Sequence, residues 1–143
     1  MRLWTRFAFA LVFLPVVASA QFKDLDSAMS SLAHGFSSGD AKAIVAGIGE
    51  GDQVMLQFPG LVSQSGFFGH DQAAYLLDGL FNKFHPTGFE QLSARKNSAE
   101  GQYQITASWT ITNGGKAEAR DLYITLRNKN DRWSIASLRS ASR

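Results

Sequence analysis

The sequence predicts an α+β fold in which N-terminal helices pack on a curved antiparallel meander sheet. Between Phe68 and Phe84, apolar residues recur at every third or fourth position, the pattern of a helix with one buried face. After Pro86 the apolar period changes to two, the period of a half-buried strand. Asn113 and Gly114 add a strong hairpin signal between two such strands. Helices that precede a run of strands are typical of the α+β class.

Three helices are predicted before Pro86. The first covers residues 24–36 and is interrupted by the Ser-Ser-Gly segment at 37–39. Asp40 caps a short second helix, which ends in the glycine-rich segment 47–51. The third helix is the longest, and its buried stripe consists of Ala73, Leu76, Leu77, Leu80, Phe81 and Phe84.

Strands are predicted on both sides of the third helix. A first strand at residues 54–58 ends at Pro59-Gly60, and residues 61–68 hold a short paired strand or a turn. Four more strands follow Pro86 and form the meander: residues 89–96, 102–112, 117–127 and 133–138.

Residue parity assigns each strand two faces. In the strand at 102–112, apolar residues from Tyr103 to Ile111 share one face, and serine and threonine residues share the other. In the next strand, Leu122, Ile124 and Leu126 share a face with Glu118 and Arg120. The apolar faces are expected to form the core with the helices, and the opposite faces suit water or a second sheet.

The first 20 residues are predicted to be a secretory signal peptide. Arg2 and Arg6 precede a short apolar run at residues 7–18, and small residues at 18 and 20 form a cleavage motif. The alternative, a membrane anchor, requires about 20 apolar residues, and this run is shorter. We therefore expect an exported protein whose mature chain, residues 21–143, is one domain without a membrane span. The chain has no cysteine, which excludes disulfides.

The charge of the chain depends on this processing. The full sequence has 14 basic and 12 acidic residues, and loss of Arg2 and Arg6 leaves 12 of each. A neutral mature chain gives no support to a nucleic-acid partner. The charges are nevertheless segregated, with 2 basic and 7 acidic residues at 21–78 and 10 basic and 5 acidic residues at 79–143. They form either solvated faces or an acidic helical layer against a basic sheet that orients a partner.

Residues along the whole mature chain carry a resemblance to a known family. They are Phe36, Ser37, Ser38, Gly39, Asp40, Ile44, Phe68, Gln72, Ala73, Leu76, Leu77, Phe81, Pro86, Tyr103, Ile105, Thr112, Gly115, Arg120, Leu122, Tyr123, Ile124, Leu126, Trp133, Ser134 and Ile135. On these residues the chain resembles the cone-shaped nuclear-transport-factor-2-like superfamily and, within it, an exported bacterial family of unknown function described as lumazine-binding-like. The resemblance implies a cone-shaped fold, a periplasmic or secreted location and homodimerisation, and it carries no established activity.

The three histidines do not have the spacing of metal ligands. His34 lies off the apolar stripe of its helix, and His85 lies at a helix C-terminus, where its charge interacts favourably with the helix dipole. His70 starts the third helix and is a weak candidate for a site. Because paired histidines and cysteines are lacking, we expect neither a metal nor a cofactor.

Arg120 and Glu118 are the charged residues that share the apolar face of their strand. Arg120 either pairs with Glu118 or caps carbonyl groups at the rim of the cone. Alternatively, it binds a carboxylate or phosphate with two hydrogen bonds at the mouth of a pocket. Three aromatic residues, Trp109, Tyr103 and Phe67, either line such a pocket or belong to the core. The ligand expected in a pocket of this kind is small and apolar or anionic.

The sequence leaves two hypotheses of function. The first is an exported non-catalytic binding or scaffolding domain that forms a homodimer through the outer, serine- and threonine-rich face of its sheet. The alternative is a small-molecule isomerase or hydratase that uses His70, Glu118 or Arg120 around a pocket in the cone, as enzymes of the resembled superfamily do. A hollow cone with convergent titratable groups favours the enzyme, and a cone filled by aromatic side chains opposes it.

Overall fold

The computed structural model describes residues 22–97 and 101–143. The predicted signal peptide, residues 1–20, lies outside the described residues. The elements are α1 (Leu25–Ser38), α2 (Ala41–Val45), β1 (Gln53–Gln57), β2 (Gly66–Gly69), α3 (His70–Lys83), β3 (Pro86–Asn97), β4 (Gln102–Asn113), β5 (Lys116–Lys129) and β6 (Arg132–Ser142). The predicted α+β class is confirmed, and each predicted helix and strand is present with modest changes at its ends.

Six strands form one curved, unclosed sheet in the order β2-β1-β6-β5-β4-β3. Strands β3 to β6 form the predicted antiparallel meander. The whole sheet is mixed rather than antiparallel, because β1 pairs with β6 in the parallel direction. Register shifts at Gln91/Ser93 and at Thr125/Leu126 place irregularities in two ladders, and such bulges bend the strands that carry them.

Side-chain and glycine caps fix the helix ends. The Asp24 carboxylate accepts a hydrogen bond from the Ser27 amide at 2.7 Å, and this bond holds the pKa of Asp24 below its ordinary value of 3.8. Gly39 ends α1 in the left-handed conformation, with φ of 75°. Asp40 then accepts from the backbone N–H of Lys42 at 3.1 Å and caps α2, as the sequence predicts.

The core lies between the helices and the inner face of the sheet. Strand parity is as predicted: along β4 buried residues alternate with more exposed ones, and along β5 the buried residues are Arg120, Leu122, Ile124 and Leu126. From α3 the core receives Ala73, Leu77, Leu80 and Phe81, whereas Leu76 is only half-buried. No helix in the described ranges is long and apolar enough to cross a membrane.

Candidate functional site

An aromatic cluster fills the interior of the cone. Trp109 on β4 is fully buried, and its ring meets the rings of Phe36, Phe58 and Phe81 edge-on, with centroid separations of 5.5, 6.1 and 6.3 Å. Edge-to-face contacts at these separations are favourable because the positive edge of one ring meets the negative face of another. Trp109 is therefore a core residue that is buried among aromatic side chains.

The indole of Trp109 also completes the end of α1. Its Nε1–H donates a hydrogen bond of 2.9 Å to the backbone carbonyl oxygen of Phe36. Phe36 lies in the last turn of α1, where carbonyl groups have no partner within the helix. The bond thus satisfies a buried backbone group and ties the helix to the sheet, so the polar atom of this side chain serves the fold.

Arg120 is held by contacts within the chain. Its side chain is only 3 % exposed; Nη1 donates to Glu118 Oε1 at 3.0 Å, and Nη2 donates to the carbonyl oxygen of Pro59 at 2.6 Å. Both structural contacts predicted for Arg120 are therefore present: the ion pair with Glu118 and the hydrogen bond to a backbone carbonyl group. Pro59 is the second residue after β1, so Arg120 anchors the start of the β1–β2 connection to the sheet.

Glu118 connects this anchor to the β4–β5 hairpin. Asn113 Nδ2 donates to Glu118 Oε2 at 2.9 Å, and this bond, followed by the bond from Arg120, lowers the pKa of Glu118 below its ordinary value of 4.5. The carboxylate is ionised at neutral pH and compensates the buried guanidinium. In the described part of the chain, Arg120 Nε and Ser140 Oγ are the buried side-chain atoms without a hydrogen-bond partner.

The other aromatic candidates lie far from Trp109. Tyr103 is on the inner face, six residues away along β4, or about 20 Å, and packs edge-on against Trp133 at 6.2 Å. Phe67 on β2 pairs with Met55 and is 68 % exposed. The structure thus does not bring Trp109, Tyr103 and Phe67 into one pocket, because strand spacing separates the first two and parity turns the third outward.

His70 is also separated from Arg120. His70 begins α3 next to the start of β1, and its Nδ1 lies 3.1 Å from Asp71 Oδ1. Arg120 contacts Pro59 beyond the other end of β1, six residues from Gln53, or about 20 Å along the strand. The three residues considered for an isomerase or hydratase do not converge, and only Arg120 and Glu118 are in contact.

The histidines and acidic residues that the structure describes form no metal centre. His34 is exposed, as predicted, and its Nε2 lies 3.2 Å from Asp40 Oδ2. Across residues 22–97 and 101–143, no group of three or more histidine, aspartate or glutamate side chains is arranged to hold a metal ion.

The outer face of the meander carries charged residues on both sides of a central row. The central row holds Thr106 and Tyr123, which is 37 % exposed and lies under the guanidinium of Arg139 at 5.7 Å. On one side the following rows carry Arg95 and then Arg127. On the other side the adjacent row carries Glu90, Ser108 and Asp121. The Asp121 carboxylate accepts a hydrogen bond from Arg143 Nε at 2.9 Å.

A second feature, which the sequence did not reveal, is a groove of about 1130 Å³ between α3 and the β1–β2 connection, here called the α3 groove. Its apolar lining residues are Leu61, Val62, Phe68, Leu76 and Leu80, and its polar lining residues are Ser63, Gln64, Asp71, Gln72, Asp78, Asn82 and Lys83. Tyr75 and two glycines, Gly60 and Gly79, complete the lining. Leu76 belongs to the predicted apolar stripe, but it is only half-buried and lines this groove. Periodicity alone does not distinguish a residue in a groove wall from a residue in the core.

Comparison with known proteins gives a family and a fold. The sequence profile of a family described as Domain of unknown function (DUF4783) matches residues 29–140. No curated protein matches the chain at a significant level. A DUF4783 family protein from Bacteroides ovatus is 18% identical with a TM-score of 0.66, over 80% of this chain and 94% of that chain.

Two further solved structures extend the likeness to a larger fold group. A ketosteroid isomerase-like protein from Erwinia carotovora atroseptica is 19% identical with a TM-score of 0.61, over 81% of this chain and 90% of that chain. A hypothetical protein of ketosteroid isomerase-like fold from Catenulispora acidiphila, in complex with trimethylamine, is 11% identical with a TM-score of 0.60, over 79% of this chain and 82% of that chain. The fold inferred from the resemblance is confirmed. Identities this low carry no activity over to this chain.

Proposed function

The chain belongs to the DUF4783 family, a family of unknown function with the nuclear-transport-factor-2-like fold, and from this premise we propose that it is an exported, non-catalytic binding or scaffolding module that forms a homodimer through the outer face of its sheet. The filled cone is the observation that carries the proposal. Trp109 and its aromatic neighbours occupy the interior. Arg120 is engaged by Glu118 and Pro59. Recognition is therefore assigned to the outer surfaces.

The outer sheet face has the size of a stable interface. Strands β3 and β4 are 12 residues long, which at about 3.3 Å per residue gives a length of about 40 Å. Four strands spaced about 4.8 Å apart make a face of about 750 Å². A standard protein–protein interface covers about 800 Å² on each partner, so the meander alone provides the required area.

The charges of this face favour one arrangement of two copies. A two-fold axis that lies in the interface and runs across the strands near Tyr123 reverses the strand direction of the second copy. The basic rows, with Arg95 and Arg127, then face the acidic row, with Glu90 and Asp121, in both halves of the dimer. Tyr123, partly exposed and stacked with Arg139, lies near the centre, where aromatic residues contribute most to binding.

Light scattering coupled to size exclusion tests the proposal at micromolar protein concentration. The wild type is expected to be a dimer, and Arg127→Glu is expected to weaken it. The double variant Arg127→Glu with Asp121→Arg is expected to restore the dimer, because opposite charges again face each other between the two copies. Lys42→Glu, an exposed change on the short helix α2, is the matched control and leaves the dimer intact. A strict monomer, or a dimer indifferent to both outer-face variants, would refute the sheet-face interface.

A further inference from the structure

We propose that the α3 groove binds a short extended peptide in which apolar residues are flanked by basic residues. The groove lies on the helical layer, away from the outer sheet face, so the proposed dimer leaves it accessible. The inference therefore goes beyond dimerisation and does not depend on it. Three properties of the groove carry it: its length, the distribution of its charge and the absence of a side chain at Gly79.

The groove has the length of a peptide segment. Its lining follows α3 from Asp71 to Lys83, and twelve helical steps of about 1.5 Å cover about 18 Å. An extended peptide advances about 3.3 Å per residue, so five or six residues match this length. The apolar residues on the opposite wall come from the β1–β2 connection, and Leu61 among them is buried. Two walls of different origin thus form an open channel with an apolar lining rather than a closed cavity.

The connection that forms this wall is fixed near its start. Arg120 donates to the carbonyl oxygen of Pro59, and the connection continues directly into Gly60 and Leu61. Backbone hydrogen bonds from Leu61 and Val62 to the carbonyl oxygen of Phe58 form a turn at the same place. The wall is therefore preorganised, and a ligand does not have to order it, which reduces the entropic cost of binding.

Charge selects the kind of peptide. The lining holds two aspartates, Asp71 and Asp78, and one lysine, Lys83. The aspartates are seven residues apart on α3, two helical turns, so they lie on the same side at a separation of about 10 Å. In an extended peptide, side chains at positions i and i+2 lie on one face about 7 Å apart, and two long basic side chains there reach both carboxylates. Tyr75 lies between the two carboxylates and is 85 % exposed, which leaves its ring available to a cationic or apolar side chain. Basic side chains at positions i and i+2 therefore match the groove.

Gly79 opens the middle of the groove. It is an interior residue of a 14-residue helix, where glycine is unfavourable because of its backbone entropy. A Cβ atom placed on it has no neighbour within 4 Å, so nothing in the fold requires glycine there. The bare backbone allows close approach of another chain between Tyr75 and Lys83, a use that offsets the cost to the helix.

Fluorescence anisotropy with two labelled, amidated hexapeptides tests the proposal. The probes are Arg-Leu-Arg-Leu-Leu-Leu and its acidic counterpart Glu-Leu-Glu-Leu-Leu-Leu, each titrated with the purified protein. The basic peptide is expected to bind, at least tenfold more tightly than the acidic one, and with an affinity that falls as salt rises. Equal affinity for the two peptides would overturn the charge match.

Variants locate the binding on the groove. Gly79→Phe fills the channel and Asp78→Lys reverses one carboxylate, and each is expected to weaken binding of the basic peptide at least tenfold. Gly79→Ala, which adds only a Cβ atom to the bare backbone, is expected to weaken binding less than Gly79→Phe does. The matched control, Asp26→Lys on the exposed side of α1, is expected to change it less than twofold. Circular dichroism verifies that each variant is folded.

Other occupants give distinct results, and each of them contradicts the proposal. Saturable binding of an uncharged apolar dye, lost in Gly79→Phe while neither peptide binds, would assign the groove to a small molecule. A self-association in light scattering that Gly79→Phe abolishes would assign it to a second copy of the chain. Since the dimer through the sheet face is tested by Arg127→Glu, failure of one proposal leaves the other measurable.

Discussion

Substitution of Trp109 by phenylalanine tests whether the cone interior is a tightly packed core. The change removes the Nε1–H donor and leaves the buried carbonyl of Phe36 without its 2.9 Å partner. An unsatisfied buried polar group costs about 1–3 kcal/mol. The smaller ring also leaves about 40 Å³ unfilled, which adds about 1 kcal/mol at the usual cost per cavity volume. Trp109→Phe is therefore expected to lower the free energy of unfolding by about 2–4 kcal/mol.

Urea unfolding followed by circular dichroism measures this loss, with Trp133→Phe as the matched control. Trp133 is half-buried and contacts Tyr103 edge-on, an arrangement that phenylalanine preserves, so the control is expected to lose about 1 kcal/mol or less. If the unfolding free energy falls with urea concentration at the same slope in the wild type and both variants, all three unfold from a similarly compact state. The reasoning is refuted if Trp109→Phe costs less than about 1 kcal/mol or no more than the control.

Three further predictions concern stability. Gly79→Ala is expected to raise the free energy of unfolding by about 0.5–1 kcal/mol, and a lower thermal midpoint would contradict it. Glu118 has a lowered pKa in the fold, so its stabilising effect is present above pH 4.5 and is lost as the pH falls through the folded pKa. The difference in unfolding free energy between the wild type and Glu118→Gln should therefore shrink between pH 7 and pH 3. A difference that stays constant over this range would contradict the role of the Glu118 carboxylate. Arg120→Ala orphans the Pro59 carbonyl and also removes the buried aliphatic stem, so it is expected to cost about 3 kcal/mol. Arg120→Met orphans the same carbonyl but keeps an apolar stem of similar volume, so it is expected to cost less, about 1–2 kcal/mol. Equal losses in urea unfolding would show that the stem contributes no packing.

Much of the fold follows from local patterns. The alternation from Tyr103 to Ile111 places Trp109 inside, and the capping residues Asp24 and Asp40 start their helices where the sequence indicates. These features depend on residues close in sequence, which is why periodicity predicts them. Even the contacts of Arg120 were among the predicted alternatives, because parity puts a charge on an apolar face where it requires partners.

The remaining features depend on contacts between distant segments. The parallel pairing of β1 with β6 joins residues about 80 positions apart, and no turn signal encodes it. The α3 groove depends on how the β1–β2 connection lies against the helix, so Leu76 could not be distinguished from its buried neighbours. Phe67 and Tyr103 were grouped with Trp109 on residue type alone, and strand length and parity separate them.

The most direct test of the filled cone is the solvent accessibility of Trp109. In the chain from residue 21 onward, Trp133→Phe leaves Trp109 as the single tryptophan. A filled cone predicts blue-shifted indole emission that acrylamide quenches weakly in the folded protein and strongly after unfolding in urea. Red-shifted emission that acrylamide quenches as readily in the folded as in the unfolded protein would show that the cone is open and would contradict the assignment of recognition to the outer surfaces.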